Sequence, residues 1–255
     1  MNLTNVIIEV TRRCNMECSH CLRGNQENCD INTNYIDALL EKVDYIDNIT
    51  FTGGEPSLVP NIIQYTIDKA KQLNVSFGGF YIVTNGKIVP DAFLLAIMDL
   101  YFYCDDKDMC TLSISNDGYH IEDDNTLSEN WEKLSVFKFT EKREGDGDYY
   151  NRRLVPEGRG LNYTSKDKEY YIKEFENIDE DFIDGTIYLN CKGNILSDCD
   201  LSYKTQENKL LIIGNILDID FEKDCNRFQE WLNSIETTSL NDILDMEQEI
   251  IGKVA

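Results

Sequence analysis

Residues 5–21 read NVIIEVTRRCNMECSHC. The apolar, β-branched run Val6, Ile7, Ile8 and Val10 predicts a first strand over Asn5–Thr11, and Cys14, Cys18 and Cys21 crowd into the loop behind it. Three thiolates with three and two residues between them do not give zinc its usual four protein ligands. They can hold three irons of a 4Fe-4S cluster and leave the fourth open to chelation by a small molecule. The loop therefore reads as chemical.

Downstream, strands are expected at Asn48–Thr52, Phe77–Thr84, Cys110–Ser115, Val136–Thr140 and Arg152–Val155. Between them, Asn34–Asp47, Asn61–Leu73, Asp91–Tyr101 and Leu127–Leu134 carry apolar residues at helical spacing. Pro60 and Pro90 stand just ahead of two of these helices, where a missing N–H costs nothing. The alternation implies βαβ units and a parallel sheet, and six such units end near Gly160, too early for a full eight-stranded barrel. The cysteine loop, Thr52–Pro56, Thr84–Gly86 and Ser115–Gly118 all follow strands. In parallel α/β folds ligands collect at the carboxyl ends of strands, so these loops are expected to form one site.

After Gly160 the chain turns polar over LNYTSKDKEYYIKEFENIDEDF. Short strands are then expected over Thr186–Leu196 and Leu210–Ile216, around turns at Lys192–Asn194 and Gln206–Asn208. Helices are expected over Asn226–Ile235 and Leu240–Ile251.

A 42% hydrophobic and 28% charged composition is ordinary for a soluble globular protein of 255 residues. No apolar stretch is long enough for a bilayer, and the opening MNLTNVIIEVTRRC lacks the layout of a signal peptide. A cytoplasmic location with no membrane partner is expected. The net charge of −23 repels phosphate backbones and disfavours nucleic acid as a partner. Acidic clusters such as Asp105, Asp106, Asp108 and Glu122, Asp123, Asp124 read most simply as solvated faces; the sharper reading is attraction of a basic peptide or protein. Without an export signal, the nine cysteines are expected as reduced thiols or metal ligands. Cys104 and Cys110 read as core or loop thiols.

Together with TGGEP at residues 52–56, the cysteine loop resembles the radical S-adenosylmethionine (radical SAM) superfamily, over about residues 5–160. Thr11 and Asn15 also sit where that family often has them. The competing reading is a structural zinc loop completed by His20 or a distant cysteine, and it accounts for neither the missing ligand nor GGEP. The resemblance implies an α/β fold, a partial (β/α)6 TIM-type barrel over residues 1–160 with a small α+β C-terminal extension over 161–255. It implies that Cys14, Cys18 and Cys21 ligate a 4Fe-4S cluster whose open iron binds S-adenosylmethionine (SAM). An electron from a reductase such as flavodoxin or ferredoxin would then split the sulfonium, giving a 5′-deoxyadenosyl radical that abstracts a substrate hydrogen.

Other positions take expected roles from the same resemblance. Gly53 and Gly54 would let backbone approach the methionine moiety, Glu55 or its backbone would bind the SAM ammonium, and Pro56 would stiffen the turn. For GGEP alone, a plain strand-end turn is the alternative. His20 would lie beside the adenine or be a loop residue. Ser115 and Asp117 would bond the SAM carboxylate and ribose, unless Asp117 is a helix cap or turn residue. Asn85 would contact SAM or substrate, the alternative being an ordinary turn at Thr84–Gly86. Arg159, in VPEGRG, resembles a segment of members with SPASM or twitch extensions and would lie near the SAM carboxylate or substrate, unless it is a surface arginine. His120 reads as solvent-facing or structural.

The segment IYLNCKGNILSDCD followed by LLIIGNI looks like the start of a SPASM/twitch domain, whose smallest version binds an auxiliary Fe-S cluster through four cysteines. Here Cys191, Cys199 and Cys225 offer three. Either an auxiliary cluster with an open site or a degenerate twitch holding substrate follows, with the cysteines as small buried residues in the second case. The leading functional expectation is modification of a peptide or protein side chain, with leader-peptide recognition supplied by a separate protein. The alternatives are oxidation or rearrangement of a small metabolite, such as a sugar-like alcohol or nucleotide precursor, and a non-catalytic Fe-S or SAM-binding regulator.

Overall fold

A computed structural model describes residues 1–115, 127–143, 154–164 and 169–254. Its first part alternates β1 (Asn2–Thr11), α1 (Thr33–Leu40), β2 (Tyr45–Gly53), α2 (Pro60–Leu73), β3 (Ser76–Thr84), α3 (Asp91–Tyr103), β4 (Cys110–Ser115), α4 (Glu129–Leu134) and β5 (Thr140–Arg143). The second part adds β6 (Asn177–Ile178), β7 (Phe182–Leu189), β8 (Asn194–Leu196), β9 (Gly214–Asn215), α5 (Phe221–Ser234) and α6 (Leu240–Val254). One sheet joins them in the order β5-β4-β3-β2-β1-β7-β8-β9, with β6 beside β7. Strands β1 to β5 pair in parallel, and β7 pairs in parallel along the other edge of β1. The remaining pairs are antiparallel. The fold is α/β, a partial barrel of parallel strands whose sheet continues into the antiparallel strands β8 and β9.

Helices cover one face of the parallel strands and the site lies on the other, so residues of both faces are largely withdrawn from water and the strands read as nearly continuous apolar runs. Val6, Ile8, Ile49, Phe80 and Ile82 are fully buried. The helix α2 contributes Ile62, Ile63, Thr66, Ile67 and Ala70 on one stripe, and Asn74 ends it in the left-handed conformation at φ 59°. On the other face, Ile7, Thr50 and Tyr81 fall in register across β1, β2 and β3, and this row forms the floor of the site.

Several expected boundaries shift. The sixth parallel strand is β7, not Arg152–Val155; Leu154 and Val155 are irregular, and Arg152 and Arg153 lie outside the described residues. The fifth strand starts at Thr140 because Phe139 turns inward instead, with ring centroids 6.1 Å from Phe80 and 4.6 Å from Tyr101. The helix α1 stops at Leu40, and β2 already begins at Tyr45, with Ile46 buried in the core. Asp220 caps the Lys223 N–H, so α5 begins at Phe221. Of Leu210–Ile216 only Gly214–Asn215 pairs as strand. Among the described residues, no helix is long and apolar enough to cross a membrane.

Candidate metal centre

The cysteine loop leaves β1 and returns beside it. The Thr11 hydroxyl donates to Asp30 Oδ1 at 2.5 Å, and Arg12 N donates to Cys29 O at 2.7 Å. Arg13 grips Asp30 with two hydrogen bonds, of 2.8 and 2.7 Å. Inside the loop, Cys14 N donates to Gln26 Oε1 at 3.1 Å and Cys21 N to Cys18 O at 3.1 Å. These bonds hold a segment without regular secondary structure in one shape.

The diglycine turn at the end of β2 is stitched to the loop's base. Gly54 N donates to Thr11 O at 2.8 Å and Glu55 N to Arg13 O at 2.9 Å. A Cβ on Gly53, whose φ is +135°, would meet Thr11 O at 1.9 Å, and one on Gly54 would meet Arg13 O at 2.1 Å. The close approach these glycines permit is therefore to the chain's own backbone beside Cys14. Glu55 is buried and caps the turn Pro56–Leu58: its Oε1 accepts from Ser57 N and the Thr84 hydroxyl, and its Oε2 accepts from Asn85 N at 2.8 Å. Burial raises its carboxyl above the usual range against these bonds. Asn85 Nδ2 in turn donates to Asn15 Oδ1 at 2.9 Å. The ends of β1, β2 and β3 are thus tied into one unit.

A cavity of about 480 Å³ opens above this unit, within the range of small-molecule sites. Cys14, Cys18, Cys21 and His20 line it, and so do Gly53, Gly54, Glu55, Asn85 and Ser115. Asp117 and His120 lie outside the described residues. Arg159 stands behind the loop, outside this lining: its Nε donates to Cys18 O at 2.9 Å and its Nη1 to Asn25 Oδ1 at 3.1 Å. Sequence reading missed Arg143 and Tyr81 in the lining. Arg143 ends β5, so the strand-end rule would have found it had that strand not been placed three residues too early.

The three extension cysteines part company. Only Cys199 reaches the cavity, beside Asp200. The Cys191 thiol donates to Glu9 O at 3.2 Å, and Cys225 is buried on α5 with Phe221 and Phe228. Asp198 is buried and takes the Tyr170 hydroxyl on both oxygens at 2.8 Å.

The loop's donor set fits an iron–sulfur group. Burial pushes the Cys14 thiol up to about 11 and Cys18 to about 12, so a bound cation is what would hold them as thiolates at neutral pH. Among the described residues, only Asp198, Cys199 and Asp200 bring three ligand atoms within 4.8 Å of one another. The sulfurs of Cys14, Cys18 and Cys21 do not all lie within that distance of one another.

The fold and site define an open parallel α/β sheet with a thiol-lined cavity at the carboxyl ends of its strands. A solved structure, native anSMEcpe with bound AdoMet and Kp18Cys peptide, shares this fold: the TM-score is 0.52 at 12% identity, over 92% of this chain and 84% of that one. In sequence, the chain is 33% identical over 129 residues to the uncharacterised protein MJ0907 of Methanocaldococcus jannaschii, covering 48% of this chain and 41% of that protein. It is 38% identical over 76 residues to the protein YfkA of Bacillus subtilis, covering 28% of this chain and 20% of that protein. The match thus spans less than half of either relative. No family model matches the chain.

Proposed function

We propose that this chain is a radical SAM enzyme that binds a 4Fe-4S cluster through Cys14, Cys18 and Cys21 and modifies a peptide or protein side chain. The observation that carries the reading is the meeting of three loop thiols and the Gly53–Gly54–Glu55 turn around one cavity, at the carboxyl ends of adjacent parallel strands. Cluster and SAM, when bound, supply one-electron cleavage of the sulfonium and a 5′-deoxyadenosyl radical able to abstract hydrogen.

The chain's own residues orient and enclose. The turn at Gly53–Glu55 presents backbone to a ligand while its amides hold the loop. Ser115 and Arg143 offer a hydroxyl and a guanidinium at the ends of β4 and β5 for polar groups of SAM or substrate. Ile7, Val83, Leu154 and Val155 form an apolar wall that excludes water from a reactive intermediate. A reductase such as flavodoxin or ferredoxin is the proposed electron source.

Two observations support a peptide substrate. The net charge of −23 suits a basic chain, and anSMEcpe, which shares the fold, holds a peptide together with AdoMet. The test is deuterium transfer from labelled peptides into 5′-deoxyadenosine. Label from a basic peptide supports the assignment; label arriving only from small alcohols or nucleotide precursors overturns the peptide class.

A further inference from the structure

The extension segment 201–207 is built onto the back of the cysteine loop. Leu201 O accepts from Arg23 Nη1 at 2.7 Å, and Tyr203 N donates to Arg23 O at 3.1 Å. Arg23, two residues past Cys21, is therefore held by side chain and main chain alike. Two residues ahead of Cys14, Arg12 is fully buried. Its Nη2 donates to Gln206 Oε1 at 2.9 Å, its Nη1 to Glu27 at 2.9 Å and Glu207 at 3.4 Å, and its Nε to Glu9 at 2.6 Å. The Tyr203 ring lies 4.6 Å from its guanidinium carbon.

Gln206 is where these ties meet. It is fully buried, and its Nε2 donates to Glu9 Oε2 at 3.1 Å, Tyr188 Oη at 3.2 Å and Leu201 O at 3.3 Å. One amide thus touches Arg12 directly and Arg23 through the shared Leu201 carbonyl. Burying a guanidinium and a carboxylate costs desolvation that their attraction repays only when the remaining polar atoms are satisfied. Such a network is a poor source of net stability and a good means of fixing register. The register fixed here is that of the two residues flanking the cysteines.

We propose that Gln206 is a positioning residue for the metal centre: it sets the places of Arg12 and Arg23, so the cysteine loop takes its metal-binding shape only against the extension. This rests on the cluster reading above. The cavity lip Cys199–Asp200 immediately precedes Leu201, so the same carbonyl joins the wall of the cavity to the loop.

The test compares the full chain with Gln206→Ala and with Ile243→Val, a buried core change on α6. Each is reconstituted anaerobically with iron and sulfide, and each metal-free form is followed by amide hydrogen exchange. Gln206→Ala is expected to lose iron to a chelator about tenfold faster, as outer-shell changes typically do. It should also shift the electron paramagnetic resonance of the reduced cluster and speed exchange across residues 12–29, while Ile243→Val alters none of the three. Parent-like behaviour of Gln206→Ala in all three overturns the proposal, as does an equal change in Ile243→Val. Should Gln206→Ala not fold, Arg23→Lys decides by the same readouts. A parent chain that takes up no iron refutes the cluster reading, and exchange in the metal-free forms still decides the positioning.

Discussion

Arg159 Nε donates to the carbonyl oxygen of Cys18 at 2.9 Å, a contact across 141 positions of sequence. The Arg159 N–H also donates to Cys21 O at 2.9 Å, and Gly158, at φ +54°, lets the two backbones meet where a Cβ would lie 2.3 Å from Leu22 O. Glu157, next in line, accepts from Ser202 N at 2.7 Å. The VPEGRG segment is thus a strut between the cysteine loop and the extension.

Arg159→Ala should keep the fold and loosen the loop. Loss of the charged hydrogen bonds is expected to cost about 1.5–3 kcal/mol, read from urea unfolding. Arg159→Lys should recover only part of it, because an ammonium does not reproduce the fork to Cys18 and Asn25.

Gly54→Ala is expected to be far more damaging than Gly214→Ala. The first places a Cβ 2.1 Å from the Arg13 carbonyl, a fixed backbone atom, whereas the second meets Ile219 Cγ1 at 3.3 Å. Overpacking of the first kind costs about 1–3 kcal/mol or more. Denaturation midpoints of the two variants check the order.

Asn15 and Asn85 should show coupling in a double-mutant cycle. Their side-chain bond of 2.9 Å joins the cysteine loop to the turn after β3. Asn15→Ala and Asn85→Ala are each expected to destabilise, and the double variant by less than their sum, with a coupling of about 0.5–1.5 kcal/mol.

Acid should open the seam between β1 and the extension. Burial pushes the Glu9 carboxyl up, but Arg23, Arg12 and the Tyr188 hydroxyl outweigh it and hold the group below its ordinary value of 4.5. The unfolded chain then takes the proton first. Its contribution is full above the unfolded value and is lost as pH falls from there through the depressed folded value. Glu9→Gln should lower stability at pH 7, by leaving Arg12 and Arg23 without their shared counter-charge, and should flatten the acid limb of the unfolding profile.

Much of this architecture is written locally. The β-branched runs of β1, β3 and β4 and the apolar stripe of α2 specify their elements without help from distant residues. So do the loops that follow strands, which is why Cys14, Gly53 and Asn85 could be assigned to one site and do line one cavity. What stayed hidden is long-range. No periodicity tells that β7 pairs with β1, and the local pattern at Arg152–Val155 is what reads as a sixth parallel strand. Arg12 gave no signal either: a charged residue beside a cysteine motif looks solvated until Glu9 and Gln206 are placed around it. Nor does the sequence tell that Glu55 bonds Ser57, Thr84 and Asn85, or that Arg159 bonds Cys18 and Asn25, since these partners come together only in the fold.

The account rests on iron at the loop and on what that iron does to SAM. The decisive measurement is 5′-deoxyadenosine formed by the anaerobically reconstituted chain given dithionite and SAM, alongside iron per chain. The account predicts about four irons and steady formation of 5′-deoxyadenosine, both lost when Cys14, Cys18 or Cys21 is replaced by Ala. Zinc in the loop, or 5′-deoxyadenosine still formed by a chain lacking one of those cysteines, would contradict it.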